Sequence, residues 1–116
     1  PSWQPGTATR RTTADVSAVG FPSFAVFDSF GVGGWAVFGG TSLSSPIVAA
    51  IFALTGKGGS DASIIYRNTA DFYDITSGTN RVRTSTRATY LNTAGVGYDG
   101  PTGIGTPNGA AFVSAQ

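Results

Sequence analysis

The chain has 116 residues, the size of one small domain. Only 7 basic and 6 acidic residues are charged, 11% of the chain, against about 25% in an average soluble domain. No His, Cys or Glu occurs, so a disulfide framework, a Cys or His zinc site, a Cys nucleophile and a His base are excluded from this chain. A net charge of +1 does not indicate a nucleic-acid or membrane partner. The longest apolar run, Ile47 to Leu54, is far shorter than the roughly 20 residues that a membrane span needs.

The first third of the chain predicts a loop followed by short strands. Residues 1–14 are polar and contain two prolines, so they predict a loop. Asp15–Val19 is a plausible short strand. Phe24–Asp28 and Trp35–Phe38 are rich in aromatic and β-branched residues, and the glycine-rich stretch 29–34 joins them. This pattern predicts a β-hairpin.

A long helix is predicted from Ser42 or Leu43 to Leu54, with Gly56 ending it. Pro46 fits its first turn. The helix is apolar on every side, which is typical of a helix that is buried all round. A chain of this length provides little to cover such a helix by itself.

The second half predicts two short helices separated by turns. Ser60 or Asp61 caps a helix that reaches Arg67, and Asn108 caps a helix that ends near Ala115. Residues 71–105 are rich in turn signals such as Asp-Gly and Ser-Gly. Within them, the arginines of the stretch 81–87 alternate with Thr and Ser, which favours a solvated loop or edge strand over a phosphate-binding patch.

The clearest motif is Gly40-Thr41-Ser42-Leu43-Ser44-Ser45-Pro46, at the predicted junction of strand and helix. Such a junction displays a serine hydroxyl, and the N–H groups at a helix start are free to bind a developing oxyanion. The alternative is that these hydroxyl residues only cap a buried helix. The strand–turn–helix arrangement by itself does not decide between a serine nucleophile and a helix cap.

The motif G-T-S-x-S-x-P resembles the nucleophile signature of subtilisin-like and sedolisin-like serine peptidases. The preceding residues, Arg10 with Ala14-Asp15-Val16-Ser17-Ala18, resemble the family's R-x-x-P-D-V-S-A strand, with Ala14 in place of proline. The resemblance implies that Ser42 is the catalytic nucleophile. It places Asp15 on a structural strand and gives it no catalytic role.

The C-terminal third favours the sedolisin-like branch. Asp74-Ile75-Thr76-Ser77-Gly78, then Gly95-Val96-Gly97-Tyr98-Asp99, then a Thr-Gly-Ile-Gly-Thr-Pro string resemble that family's calcium-binding end. The resemblance implies a structural Ca²⁺ site. The implied ligands are the carboxylates of Asp74 and Asp99 and the carbonyl oxygens of Ile75, Gly95 and Gly97. Calcium prefers such oxygen ligands, and the alternative is a pair of ordinary Asp turns.

The resemblance covers residues 1–116 but only the last third of a sedolisin-like catalytic domain. It implies an α/β fold, the C-terminal portion of a subtilisin-like parallel sheet with flanking helices, followed by the calcium loops. It implies a secreted, acid-active endopeptidase that cleaves peptide or protein substrates. The Glu base and its Asp partners then lie on the N-terminal part of the same peptidase, either a separate chain or a missing segment, so this chain alone is expected to be inactive.

Two other interpretations remain open at this point. The chain is then either a catalytically inactive calcium-binding fragment that acts as an interaction module, or part of a subtilisin-like peptidase whose His base lies on the missing part. A second chain that carries Glu and Asp favours the sedolisin-like interpretation, and one that carries His favours the subtilisin-like one.

Overall fold

The computed structural model describes residues 1–6, 8–82 and 89–114, with side chains as far as residue 111. Arg83 and Arg87 of the basic stretch, and Ala115 at the predicted end of the last helix, lie outside these residues. In chain order the elements are β1 Phe24–Asp28, β2 Gly34–Phe38, α1 Thr41–Leu54, α2 Ser63–Arg67, a 3₁₀ turn Thr69–Asp71, β3 Phe72–Tyr73, β4 Thr106–Pro107 and α3 Gly109–Ser114.

The predicted hairpin is confirmed, and β2 begins one residue earlier than expected. β1 and β2 pair in antiparallel register, with Phe24 opposite Phe38 and Phe27 opposite Trp35. The rings of Phe27 and Trp35 meet edge to face, with their centroids 5.5 Å apart, a favourable cross-strand aromatic pair. Both rings remain exposed, so the hairpin presents an uncovered apolar face.

Helix α1 is also confirmed, beginning at Thr41 and ending at Leu54. The sequence predicted a helix apolar on all sides, and the structure leaves most of that surface uncovered. Leu43 is the buried residue of α1, whereas the Leu54 side chain is 75% exposed. The described part of this chain therefore does not supply the cover that such a helix needs.

The small apolar core lies between α2, β3 and the loop before β4. Ile65, Phe72 and Ile104 form it, and Ile51 and Phe52 of α1 pack against it half-buried. β3 pairs antiparallel with β4, which brings the residues on either side of the turn-rich region together. This core joins the second half of the chain to the last two turns of α1.

The predicted strand at Asp15–Val19 is wrong. The backbone of this segment bonds to a turn and not to another strand. The Ser17 N–H donates to the Gly105 carbonyl at 2.9 Å, and the Ile104 N–H donates to the Asp15 carbonyl at 2.8 Å. Because a strand needs a continuous ladder partner, and no described strand pairs with this segment, it does not form one in this structure.

The two short helices are close to the prediction. α2 begins at Ser63, later than expected, yet the Asp61 carboxylate still accepts the Ser63 N–H at 2.8 Å. The side chain of Asn108 accepts the Ala111 N–H at 3.4 Å at the start of α3, as a capping residue does.

The described residues form two two-stranded antiparallel sheets. No parallel pairing occurs among the described residues, and the parallel sheet that the family resemblance implies is not tested by these two antiparallel pairs. That fold class therefore stays a prediction.

A half-buried polar cluster, Gln4, Thr12, Asp15, Tyr66 and Tyr98, joins the N-terminal segment to the rest of the chain. The Gln4 amide donates to the Thr12 carbonyl at 2.8 Å and to the Tyr66 hydroxyl at 3.1 Å. The Tyr66 hydroxyl donates to the Asp15 carboxylate at 2.6 Å. Burial, and then this hydrogen bond, raise the pKa of Tyr66 well above its usual value.

The same Asp15 carboxylate forms an ion pair with Arg11, with 2.5 Å between Nη2 and Oδ2. The contact raises the pKa of the Arg11 guanidinium. Asp15 is therefore occupied by structural partners on both carboxylate oxygens.

Candidate functional site

Ser42 is the second residue of α1, directly after the junction with β2. Gly40 precedes the helix with a φ of +85°, a backbone conformation that favours glycine and turns the chain sharply out of the hairpin. The Ser42 side chain is exposed, and no described residue forms a hydrogen bond with its hydroxyl. The turn thus displays the hydroxyl at the helix start.

The first N–H groups of α1 have the arrangement expected of a helix start. The earliest hydrogen bonds run from the Leu43 and Ser44 N–H groups to the Gly40 carbonyl, at 3.0 and 3.3 Å. Among the described residues, no backbone group accepts from the N–H groups of Thr41 and Ser42. These two donors beside the Ser42 hydroxyl are available to an anionic group.

A groove of about 450 Å³ opens beside Ser42, between the hairpin and α1. Its volume is that of a small-molecule or side-chain pocket. Asp28 is the acidic residue among its described lining. One carboxylate oxygen of Asp28 accepts the N–H groups of Phe30 and Gly31, at 3.0 and 2.9 Å, within the hairpin turn. The lining consists of Val26, Phe27, Asp28, Ser29, Phe38, Gly39, Ser42, Leu43 and Pro46.

The three serines of the motif differ in their surroundings. The Ser44 hydroxyl lies 3.0 Å from the Val19 carbonyl and 3.1 Å from the Ala18 carbonyl. Ser45 is exposed and lies outside the groove that Ser42 lines. Of the three, Ser42 alone combines an unengaged hydroxyl with this groove, so the geometry favours it over Ser44 as a nucleophile.

The five predicted calcium ligands lie on two loops that contact each other. The Gly97 N–H donates to the Asp74 carboxylate at 2.8 Å, and the Gly95 N–H donates to the Asp99 carboxylate at 2.9 Å. Ile75 adjoins Asp74 in the chain, and no contact of its carbonyl oxygen to the other four is seen. The structure therefore brings four of the five residues together, in two hydrogen-bonded pairs.

The oxygen atoms of these two loops are of the kind that a hard cation takes as ligands. Within the described residues, no group donates a hydrogen bond to the carbonyl oxygens of Ile75, Gly95 or Gly97, and neither Asp74 nor Asp99 forms an ion pair. Two carboxylates and three carbonyl oxygens are ligands that Ca²⁺ accepts. Across the described residues, no three His, Cys, Asp or Glu side chains cluster as a metal site, but the predicted set contains only two carboxylates.

The hydrogen bonds of Asp99 also suit the alternative of an ordinary Asp turn. Asp99 is 1% exposed, and its second carboxylate oxygen accepts the Thr102 N–H at 2.9 Å and the Thr102 hydroxyl at 2.8 Å. Asp and Thr often close turns in this way. The turn and the calcium site are compatible, because a carboxylate oxygen has more than one lone pair.

The contacts that two residues of the site make were not predicted from the sequence. Thr102 holds the Asp99 carboxylate, and the signal for it was available as the Asp-Gly-Pro-Thr turn string. Ser44 contacts two carbonyls about 25 residues earlier in the chain. No local pattern indicates such a long-range contact.

No family model matches the chain, and no curated protein was found to be similar to it. Over the residues that the structure describes, no helix is both long enough and apolar enough to cross a membrane.

Proposed function

We propose that this chain is the C-terminal part of a secreted, sedolisin-like serine endopeptidase with Ser42 as its nucleophile. The observation that carries the proposal is the exposed, unengaged Ser42 hydroxyl at the start of α1, within the motif G-T-S-x-S-x-P and beside an open groove. Capping alone would not require an open groove beside the hydroxyl.

The reaction proposed at this site is acyl transfer through a covalent intermediate. The Ser42 oxygen attacks the carbonyl carbon of the scissile peptide bond, while its proton passes to a carboxylate base on the N-terminal part of the peptidase. The N–H groups at the start of α1 stabilise the negative oxygen that forms. The C–N bond then breaks, the amine leaves with the proton, and water hydrolyses the acyl-enzyme on Ser42.

A carboxylate base implies activity in acid. Glu has an ordinary pKa of about 4.3, so it remains deprotonated at a pH where His is protonated. The chain contains neither Glu nor His, so the Glu base that the family resemblance implies would lie on the N-terminal part of the peptidase. A His-bearing partner would instead make this a subtilisin-like peptidase, and the mass and sequence of a co-purifying chain distinguish the two.

The requirement for an N-terminal partner is supported by the uncovered apolar surface. Trp35 and Val37 of the hairpin are 72% and 74% exposed, and Leu54 of α1 is 75% exposed. Surfaces of this kind mark interfaces. The low share of charged residues agrees with a chain that has much of its surface covered.

Calcium is proposed as a structural ion of the same protein. Asp74, Ile75, Gly95, Gly97 and Asp99 would hold it and so crosslink the two loops. Bound calcium supplies positive charge to a region with two carboxylates and no ion pair among the described residues. The alternative of an inactive calcium-binding fragment shares this site and differs in having no turnover.

The test is the turnover of two serine-to-alanine variants in the complete peptidase. Ser42→Ala is expected to reduce kcat by several orders of magnitude with the fold intact. Ser45→Ala is the matched control, because it removes the same hydroxyl from an exposed position three residues later in the motif, and it should leave kcat nearly unchanged. Near-normal turnover of Ser42→Ala would overturn the proposal.

A further inference from the structure

The Ser44 hydroxyl is surrounded by carbonyl oxygens from two parts of the chain. It lies 3.0 Å from the Val19 oxygen, 3.1 Å from the Ala18 oxygen and 3.5 Å from the Gly40 oxygen. Because all three neighbours are acceptors, the hydroxyl acts as a donor and keeps its proton. Ser44 therefore links the first turn of α1 to the segment that ends at Val19.

This segment is a firm attachment point because its backbone is bonded on the other side. The Ser17 N–H and the Asp15 carbonyl form hydrogen bonds with Gly105 and Ile104. Gly103 lies so close that a Cβ atom there would collide with the Asp15 carbonyl oxygen. Movement of the segment would break these contacts.

The start of α1 has few other attachments. Gly40 at the N-cap has no side chain with which to bond the first N–H groups, and no side-chain cap is formed. The Gly40 N–H donates to the Gly20 carbonyl at 2.7 Å, which fixes the backbone before the helix. Ser44 adds a side-chain bond one helical turn further on.

We propose that Ser44 is a positioning residue, which orients the first turn of α1 and so places the Ser42 hydroxyl and the neighbouring N–H groups for reaction. The proposal rests on the proposed function of Ser42. Ser44 is not among the residues that line the groove beside Ser42. Its loss lets the turn move, and a small misplacement of reacting atoms costs up to about 100-fold in rate.

The experiment compares Ser44→Ala, Ser44→Thr and Ser45→Ala in the complete peptidase. Ser44→Ala should lower kcat by roughly 10- to 100-fold with KM nearly unchanged, since Ser44 does not line the groove beside Ser42. Ser44→Thr keeps a hydroxyl and should restore most of kcat. Ser45→Ala removes an adjacent hydroxyl that is exposed, and it should behave like the wild type.

Amide hydrogen exchange of Leu43 and Ser44, whose N–H groups donate to the Gly40 carbonyl, provides a readout that is independent of turnover. Ser44→Ala should speed exchange in this turn by about fivefold to tenfold, and Ser44→Thr should reverse the effect. Exchange at residues 24–38 of the hairpin should not change, which separates a local effect from general unfolding.

The outcomes separate this inference from the proposed function. If Ser42→Ala is inactive while Ser44→Ala matches Ser45→Ala in both kcat and exchange, the positioning role is wrong and the proposed function stands. If Ser42→Ala remains active, the proposed function is wrong and the positioning role falls with it. A rise in KM with constant kcat for Ser44→Ala would also overturn the positioning role.

Discussion

The substitution Asp99→Ala tests the structural core of the predicted calcium region. Asp99 is 1% exposed, and its carboxylate accepts three hydrogen bonds, from the Gly95 N–H, the Thr102 N–H and the Thr102 hydroxyl. Alanine removes the acceptor and leaves the half-buried N–H groups of Gly95 and Thr102 without this partner. The variant therefore loses stability even before any effect of calcium is considered.

The expected loss of unfolding free energy in Asp99→Ala follows from these three hydrogen bonds. A hydrogen bond to a charged group contributes about 1.5–3 kcal/mol to the free energy of unfolding. Bonds to one carboxylate are not additive, so about 3–5 kcal/mol is expected for all three. Calcium adds to this in the wild type, by about 2.7 kcal/mol when its concentration is 100 times its Kd.

The assay is thermal and urea unfolding of the complete protein in excess calcium and in excess chelator. The wild type should melt at a higher temperature with calcium, and the chelator should also expose the segment between residues 71 and 99 to proteolysis. Asp99→Ala should unfold early in both buffers with no difference between them. Asp61→Asn is the matched control, because it also removes one carboxylate but retains a side chain that can cap α2.

Two results would refute this reasoning. Equal melting curves for the wild type in calcium and in chelator would argue against the calcium site. A loss below about 0.5 kcal/mol for Asp99→Ala would contradict the three hydrogen bonds, because surface substitutions have effects of that size.

Three further predictions concern the fold. Tyr66→Phe should lower the free energy of unfolding, measured in urea, by about 1 kcal/mol through loss of its hydrogen bond to Asp15. Because the pKa of Tyr66 is raised in the folded state, the wild type should also lose stability as the pH rises above about 10. Tyr66→Phe should lose less stability over the same pH range. Gly103→Ala should lower the free energy of unfolding by at least about 2 kcal/mol, since φ is +66° there and the new Cβ meets the Asp15 carbonyl. Gly34→Ala is its control and should cost far less, because a Cβ atom at Gly34 meets no atom within 4 Å. Residues 1–116 alone should aggregate or dimerise in size-exclusion chromatography with light scattering and show no peptidase activity between about pH 3 and 7; a well-dispersed monomer would contradict the need for a partner.

The elements with strong local signals were predicted from the sequence. The aromatic runs and the glycine-rich connection identified the hairpin, and helical spacing identified α1 to within one or two residues. Both depend on contacts between residues close in the chain. β3 and β4 were missed because each has two residues and their pairing joins segments 33 positions apart, which no local pattern indicates.

The strand predicted at Asp15–Val19 shows the limit of local patterns. Its composition suits a strand, but whether a strand forms depends on what lies beside it, and here that neighbour is the turn at 103–105. For the site, the motif was enough to select Ser42 as the candidate nucleophile. The contacts of Ser44 with Ala18 and Val19, which distinguish the two serines, became visible only in three dimensions.

The most direct measurement of the central proposal is covalent labelling of the complete peptidase with a fluorophosphonate probe, followed by peptide mapping. The proposed mechanism predicts one labelled residue, Ser42, and loss of labelling in the Ser42→Ala variant but not in Ser45→Ala. Because the Ser44 hydroxyl faces three carbonyl oxygens, it should stay unlabelled. Labelling of Ser44 in place of Ser42, or unchanged labelling of Ser42→Ala, would contradict the assignment of the nucleophile.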